Sequence, residues 1–321
     1  MQSFELLSQK FALHFDKRHF PAEPVSLYEP NEYFLKLSGK RIRPVLCLMG
    51  NELFDEINPD TFHVAIAIEL FHNFTLIHDD IMDKAPLRRG METVHTKYGE
   101  STALLAGDVM LVVAYDYLNK ISPSYLPQVL HLFNKTAREV CEGQQLDMDF
   151  EKKETVPLDA YLRMIELKTS VALAASLKVG SIMGGAGERN QNLLYEFGKK
   201  LGVAFQVQDD YLDAFGDPEK FGKQVGGDIL SNKKTFLLIH AWETASGTQR
   251  KELMNLMAGN ANDKIDKVLN IFHDCKVDEW ALQLKNKYLD EAFEHLEDIA
   301  VLSKRKEPLK ELAHFLIKRD R

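Results

Sequence analysis

The sequence predicts an all-α fold. Apolar residues recur at steps of three and four along most of the chain, period-two alternation bounded by turn residues is almost absent, and glycine and proline gather in short joints. His63, Ile66, Ala67, Leu70, Phe74, Ile77 and Ile81 trace one helical face, and Leu194, Phe197, Leu201, Phe205, Gln208 and Leu212 trace another. Residues 101–120, 126–151, 159–186 and 278–303 fit amphipathic or buried helices. The joints are "SPSYLP" at 122–127, "TVPLD" at 155–159, "GGAGERN" at 184–190 and "FGDPEKFGKQVGGD" at 215–228. None has the length or low complexity of an interdomain linker, so a single all-α domain over residues 1–321, with ten or more helices, is expected.

The 321 residues are 45% hydrophobic and 27% charged, as in soluble globular proteins, and the net charge of −8 argues against non-specific nucleic-acid binding. Cys47, Cys141 and Cys275 are far apart and lack metal-ligand spacing, which reads as packed thiols in a reducing compartment. The first residues carry no secretory h-region, and no apolar run is expected to reach the length of a transmembrane helix or to span a membrane. A cytoplasmic placement follows as the default expectation.

Charge breaks this pattern in "NFTLIHDDIMDKAPLRRG", residues 73–90, which packs Asp79, Asp80 and Asp83 at the end of an apolar helix. Residues four apart on a helix share a face, with Cβ atoms about 5–6 Å apart. Two carboxylates at that range repel by roughly 3 kcal/mol at an effective dielectric near 20. Solvent exposure would relieve this, and a single DDxxD is often no more than a solvated face. A divalent cation bridging hard carboxylate oxygens would relieve it too. The pattern returns in "FQVQDDYLDAFGD", residues 205–217, with Asp209, Asp210 and Asp213, again late in an apolar helix. Two copies on separate helices are hard to ascribe to surface decoration. Mg²⁺ dehydrates reluctantly and completes its shell with substrate phosphates, so the implied ligand is a polyphosphate.

Basic clusters fit such a ligand. "SGKRIRP" at 38–44 supplies Lys40, Arg41 and Arg43, "LRRG" at 87–90 supplies Arg88 and Arg89, "ELKTS" at 166–170 supplies Lys168, and "GKQVGGDILSNKKT" at 222–235 supplies Lys223, Lys233 and Lys234. Guanidinium groups grip phosphate bidentately and lysines act as point charges. Each cluster alone would read as a solvated patch. His72 lies two helical turns before Asp79 on nearly the same face; it is either an ordinary core histidine or a phosphate contact.

In this order, "GKRIRP", "ELFHNFTLIHDDIMD", "RRG", "KTS", "FQVQDDYLD" and "GKQVGGDI...NKK", the motifs resemble those of the trans-isoprenyl diphosphate synthases, the polyprenyl synthetase family, from about Lys36 to Lys234. The resemblance implies an isoprenoid synthase-type bundle around a central cavity. It implies condensation of isopentenyl diphosphate with dimethylallyl, geranyl or farnesyl diphosphate, assisted by Mg²⁺ with three ions per site, in a homodimer. Asp79, Asp83 and Asp209 correspond to direct metal ligands, supported by Asp80, Asp210 and Asp213. Arg88, Lys168, Lys223 and Lys233 correspond to residues holding the allylic diphosphate, with the oxygens of Thr169 and Gln206 near the developing cation. Lys40, Arg43, His72 and Arg89 correspond to the isopentenyl diphosphate site, over which the basic end "KRDR", residues 318–321, is expected to close.

Product length depends in this family on bulk just before the first aspartate motif. Phe74 and Thr75 occupy those positions, and Phe71 lies one turn before Phe74; ordinary core packing would also explain both rings. The expectation is a C15–C20 product, with a lean to C20, geranylgeranyl diphosphate, and farnesyl diphosphate as the alternative. A class I terpene cyclase fits less well, because its second metal motif usually mixes Asn, Ser or Thr with Glu. A phosphohydrolase using His78 and Asp79 would leave the second DDxxD idle. A non-catalytic synthase subunit would have lost aspartates, and none is missing.

Overall fold

The computed structural model describes residues 1–37, 39–216, 225–259 and 263–318. It is all-α as expected, and the only strands among the described residues are the two-residue pair β1 (Leu87–Arg88) and β2 (Met91–Glu92). The chain forms two compact units: residues 1–133 with 176–191, and residues 134–175 with 192–321.

In the first unit, α1 (Phe4–Phe15), α2 (Val25–Leu35) and α3 (Ile42–Glu52) lead to α4 (Pro59–Met82), followed by α5 (Val94–Tyr98) and α6 (Glu100–Leu118). Helix α4 starts where Asn58 accepts a hydrogen bond from the Asp60 amide at 3.0 Å, with Pro59 in the first turn. It packs along α6 and α3. Phe11, Phe34, Leu46, Leu48, Met49 and Ile66 are fully buried in this unit. At about 25 cal/mol per Å², each such side chain contributes roughly 1.5–3 kcal/mol. Helix α6 corrects the expectation that no segment has spanning length: its 19 residues are long and apolar enough by composition to cross a membrane. Its apolar residues serve two faces. Ala103, Ala106, Met110 and Ala114 are buried, while Leu104, Leu105 and Val112 are exposed.

Helices α7 (Leu126–Glu151), α9 (Val171–Met183) and α10 (Glu188–Phe215) contribute residues to both units. The second unit also holds α8 (Leu158–Ile165), a π-helical turn at Glu166–Ser170, α11 (Gly227–Leu230), α12 (Phe236–Thr244), α13 (Gly247–Ala258), α14 (Lys264–Asp274), α15 (Val277–Glu297) and α16 (Ser303–Ile317). Its core centres on Val207, Phe236, Leu253, Val268 and Phe272. Of the cysteines, Cys47 is packed as expected, but Cys141 is exposed, because it lies on a solvent-facing position of α7.

Candidate active site

In the first unit the aspartate motif closes α4, with Asp83 as its C-cap. Carboxylates there oppose the negative end of the helix dipole, at about 0.3–1 kcal/mol each, so a nearby cation is needed. The chain supplies one by doubling back. Arg89 and Gly90 both take left-handed φ, 52° and 78°, in the two-residue turn between β1 and β2. The turn returns Arg88 to Asp80. Arg88 Nε donates to both Asp80 oxygens at 2.9 and 2.8 Å, and its Nη2 lies 2.8 Å from Oδ1. Asp80 is 1% exposed, so this bidentate pair is what makes its burial tolerable.

Arg89 reaches the segment before α3, donating to the Leu37 carbonyl at 3.0 Å. Its guanidinium lies against Gly39: a Cβ there would sit 2.7 Å from Nη1. Arg43 Nη1 lies 3.1 Å from His72 Nε2. Arginine can only donate, so Nε2 accepts and the His72 proton sits on Nδ1. Burial and the adjacent Arg43, Arg89 and Arg88 hold the His72 pKa well below its ordinary value. Burial also lowers Arg43, to about 10, against the opposing field of Glu69. Glu69 itself is buried, its carboxyl pushed upward by burial, and it accepts from Asn73 at 3.1 Å. The expected isopentenyl-side residues Arg43, His72 and Arg89 are thus drawn together around Glu69, which the sequence reading did not single out. Arg41 pairs with Asp16 at 2.7 Å and lies 4.5 Å from the Phe15 ring centroid, and its charge also acts on Glu69.

The rings expected to limit chain length also meet. Phe71 and Phe74 are 5.9 Å apart between centroids, and Phe71 abuts Phe133 of α7 at 5.3 Å. Thr75 spends its hydroxyl on its own helix, donating to the His72 carbonyl at 2.8 Å. His78 contacts α6 through the Leu104 carbonyl at 3.1 Å, a packing role.

In the second unit, Asp210 is 4% exposed, and the hydrogen-bond donors that reach it among the described residues are neutral. Tyr161 donates to its Oδ2 at 2.6 Å and Gln206 to its Oδ1 at 2.9 Å. Burial raises its pKa to about 7; Lys233 opposes that rise and Asp228 adds to it. Asp213 Oδ2 accepts the Asp228 amide at 2.9 Å and thereby anchors the start of α11. Lys233 Nζ lies 3.9 Å from Asp228.

"KTS" lies in the π turn, an irregularity common at functional sites. Lys168 Nζ donates to Asp147 at 2.6 Å, and Thr169 Oγ1 donates to Gln206 Oε1 at 3.3 Å. Gly143 of α7 faces this turn: a Cβ would lie 2.3 Å from the Lys168 nitrogen, so only glycine permits the approach. Lys223 and residues 319–321 of the basic end lie outside the described residues, whereas Lys318 closes α16.

Tyr161, Asp147 and Asp228 were missed by the sequence reading. Asp228 lies within the quoted "GGDI" and could have been found there; the others gave no local signal. Among the described residues, no three His, Cys, Asp or Glu side chains form a ready metal cage. The donors nevertheless fit Mg²⁺: they are hard carboxylates, and this ion takes only one or two of them from protein and the rest from water and phosphate.

Residues 24–275 match the polyprenyl synthetase family model. The chain is 36% identical to the geranylgeranyl diphosphate synthase of Methanosarcina mazei over 300 residues, covering 92% of this chain and 91% of the relative. Among solved structures, one of a geranylgeranyl pyrophosphate synthase matches with a TM-score of 0.94 at 41% identity, covering 99% of each chain. The geranylgeranyl pyrophosphate synthetase of Pyrococcus horikoshii matches with 0.93 at 33% identity, covering 98% of each. The chain belongs to the polyprenyl synthetase family, with its all-α isoprenoid synthase fold, and is a trans-prenyltransferase.

Proposed function

We propose that this enzyme condenses isopentenyl diphosphate with dimethylallyl, geranyl or farnesyl diphosphate, acting through residues 1–321 as one catalytic domain. The observation that carries the reading is the pair of aspartate motifs, each beside its own cationic group: Arg88 at the first and Lys233 at the second. Mg²⁺, three ions with the diphosphate bound, would be held by Asp79, Asp83 and Asp209 and would neutralise charge on the leaving group. Asp80, Asp210 and Asp213 support these ligands.

Arg88, Lys168, Lys223 and Lys233 orient the allylic diphosphate. Its C–O bond breaks to leave an allylic cation. The Thr169 hydroxyl donates its hydrogen bond to Gln206 Oε1, so its oxygen lone pairs can face that cation. Lys40, Arg43, Arg89 and the Nδ1–H of His72 hold the isopentenyl diphosphate, whose double bond attacks the cation. The proton then lost passes to the departing pyrophosphate. Exclusion of water protects the cation from hydrolysis.

The product we favour is geranylgeranyl diphosphate, a C20 chain stopped at the Phe71–Phe74 rings beside Thr75. The names of the relatives support that choice over farnesyl diphosphate. We further infer a homodimer, supported by the exposed Leu104, Leu105 and Val112 of α6, and a cytoplasmic location. The test is incubation with labelled isopentenyl diphosphate, Mg²⁺ and C5, C10 or C15 primers, with the products sized. C20 diphosphate is expected; no primer-dependent condensation would refute the reading.

A further inference from the structure

Lys264 opens α14 with its side chain sealed in the second unit, at 1% exposure. Its Nζ donates to Asn232 Oδ1 at 2.5 Å, and no carboxylate among the described residues pairs with it. An ammonium buried on a neutral partner is costly, and burial lowers its pKa. Neither substrate site nor the metal ligand set includes it. Asn232, the residue it grips, takes a left-handed φ of 58° just past the end of α11. The Asn232 amide donates to the Ile229 carbonyl at 3.2 Å, and the next amide, that of Lys233, reaches back to the Asp228 carbonyl at 2.9 Å. These two bonds form a helix stop whose left-handed residue is most often glycine. Glycine would make the turn with less strain, so what distinguishes this position is the asparagine side chain, the part that Lys264 holds.

The α11 segment is thereby held at both ends. At its start the Gly226 amide donates to the Asp213 carbonyl at 2.6 Å and the Asp228 amide to Asp213 Oδ2 at 2.9 Å, which ties it to the second aspartate motif. At its end Asn232 ties it to α14, against which α11 also packs. Lys233 follows this second tie directly. Its ammonium lies 3.9 Å from Asp228, and its charge opposes the rise in the Asp210 pKa. A helix of four residues has no cooperativity of its own to fix its ends, so the direction of Lys233 depends on these external ties.

We propose that Lys264 is a positioning residue of the allylic diphosphate site: through Asn232, its buried ammonium fixes the turn that places Lys233 beside the second aspartate motif. This rests on the reading of Lys233 as a contact of the allylic diphosphate.

The test is calorimetric titration of the full-length protein, in Mg²⁺, with geranyl S-thiolodiphosphate, a non-reactive allylic analogue. Lys264→Met keeps the apolar stem and removes the ammonium; Asn232 is exposed, so water satisfies the oxygen left behind and the fold should hold by circular dichroism. Asn232→Gly keeps the left-handed turn and removes the anchor, and its exposed position lets it report on the tie even where Lys264→Met fails to fold. Each change should weaken the analogue roughly tenfold. The two together should lose no more than either alone, and neither should add to the loss in Lys233→Ala. In turnover, the KM for the allylic substrate should rise while that for isopentenyl diphosphate stays in place, a split that general loosening of the fold would not give. Unchanged analogue affinity in Asn232→Gly and in folded Lys264→Met overturns the proposal, while a loss in Lys233→Ala still upholds the reading beneath it. Equal losses for both substrates, or a further loss on top of Lys233→Ala, overturn it in favour of plain packing. Full affinity in Lys233→Ala overturns the reading of Lys233 and the proposal with it.

Discussion

The two aspartate motifs are the same word in the sequence and different objects in the protein. In the first, the middle carboxylate, Asp80, is clamped bidentately by Arg88. In the second, the equivalent Asp210 is held by the neutral donors Tyr161 and Gln206, and its pKa rises to about 7. One buried carboxylate is paired bidentately with a full charge; the other accepts from neutral donors and feels Lys233 only through its field. The difference teaches that a motif specifies where carboxylates stand on a helix, while the fold around it decides what field each one feels.

The largest effects should come from residues the two motifs share in role. Asp79→Ala or Asp209→Ala should lower turnover by orders of magnitude with the helical fold intact by circular dichroism, and chelator should abolish condensation. Near-normal turnover in either variant would break the equivalence.

The next effect separates the motifs. Arg88→Ala strands Asp80 as an unpaired buried charge and should cost about 3–5 kcal/mol of stability in denaturant titration. Tyr161→Phe removes one neutral hydrogen bond from Asp210 and should cost less, about 1–3 kcal/mol. Equal losses would mean that the two environments differ in name only.

Product length should shift with less damage to rate. Phe74→Ala is expected to release chains beyond C20, Phe71→Ala to act similarly but less, and Thr75→Phe to shorten the product, all read by chromatography from one primer. Truncating a ring costs about 3–5 kcal/mol in a core, so folding is measured alongside. If Phe74→Ala folds, turns over and keeps the wild-type length, its ring is ordinary core.

The smallest effect lies outside both motifs. His19 accepts from Tyr117 OH at 2.8 Å through Nδ1 and donates through Nε2 to the Phe15 carbonyl at 2.8 Å, and burial lowers its pKa to about 4. The unfolded chain therefore binds the extra proton between about 6.5 and 4, so stability falls as pH drops through that window. His19→Gln should flatten the midpoint-against-pH curve there without moving the pH dependence of turnover.

The sequence made the helices legible because their faces are periodic, and 126–151 falls on α7 to the residue. It singled out the aspartates, Arg43, Arg89 and Lys168 as candidates because their chemistry is concentrated in short words. It could not show that Asp147 pairs with Lys168, or that Tyr161 caps Asp210, since those contacts join residues 21 and 49 positions apart. Nor does periodicity reveal that "KTS" sits in a π turn, or that Gly143 lies against its backbone. Arg41 shows the converse: a basic residue inside a phosphate-like cluster whose partner is Asp16 of the neighbouring segment.

The central claim is that both motifs act on one Mg²⁺-bound diphosphate. A double-mutant cycle on Mg²⁺-dependent binding of a non-reactive allylic diphosphate analogue, with Asp79→Asn, Asp209→Asn and the pair, tests it most directly. One shared cluster predicts that each single change removes nearly all the metal-dependent affinity and that the double change adds little. Losses that add independently, or one variant that keeps its metal-dependent binding, would contradict the account.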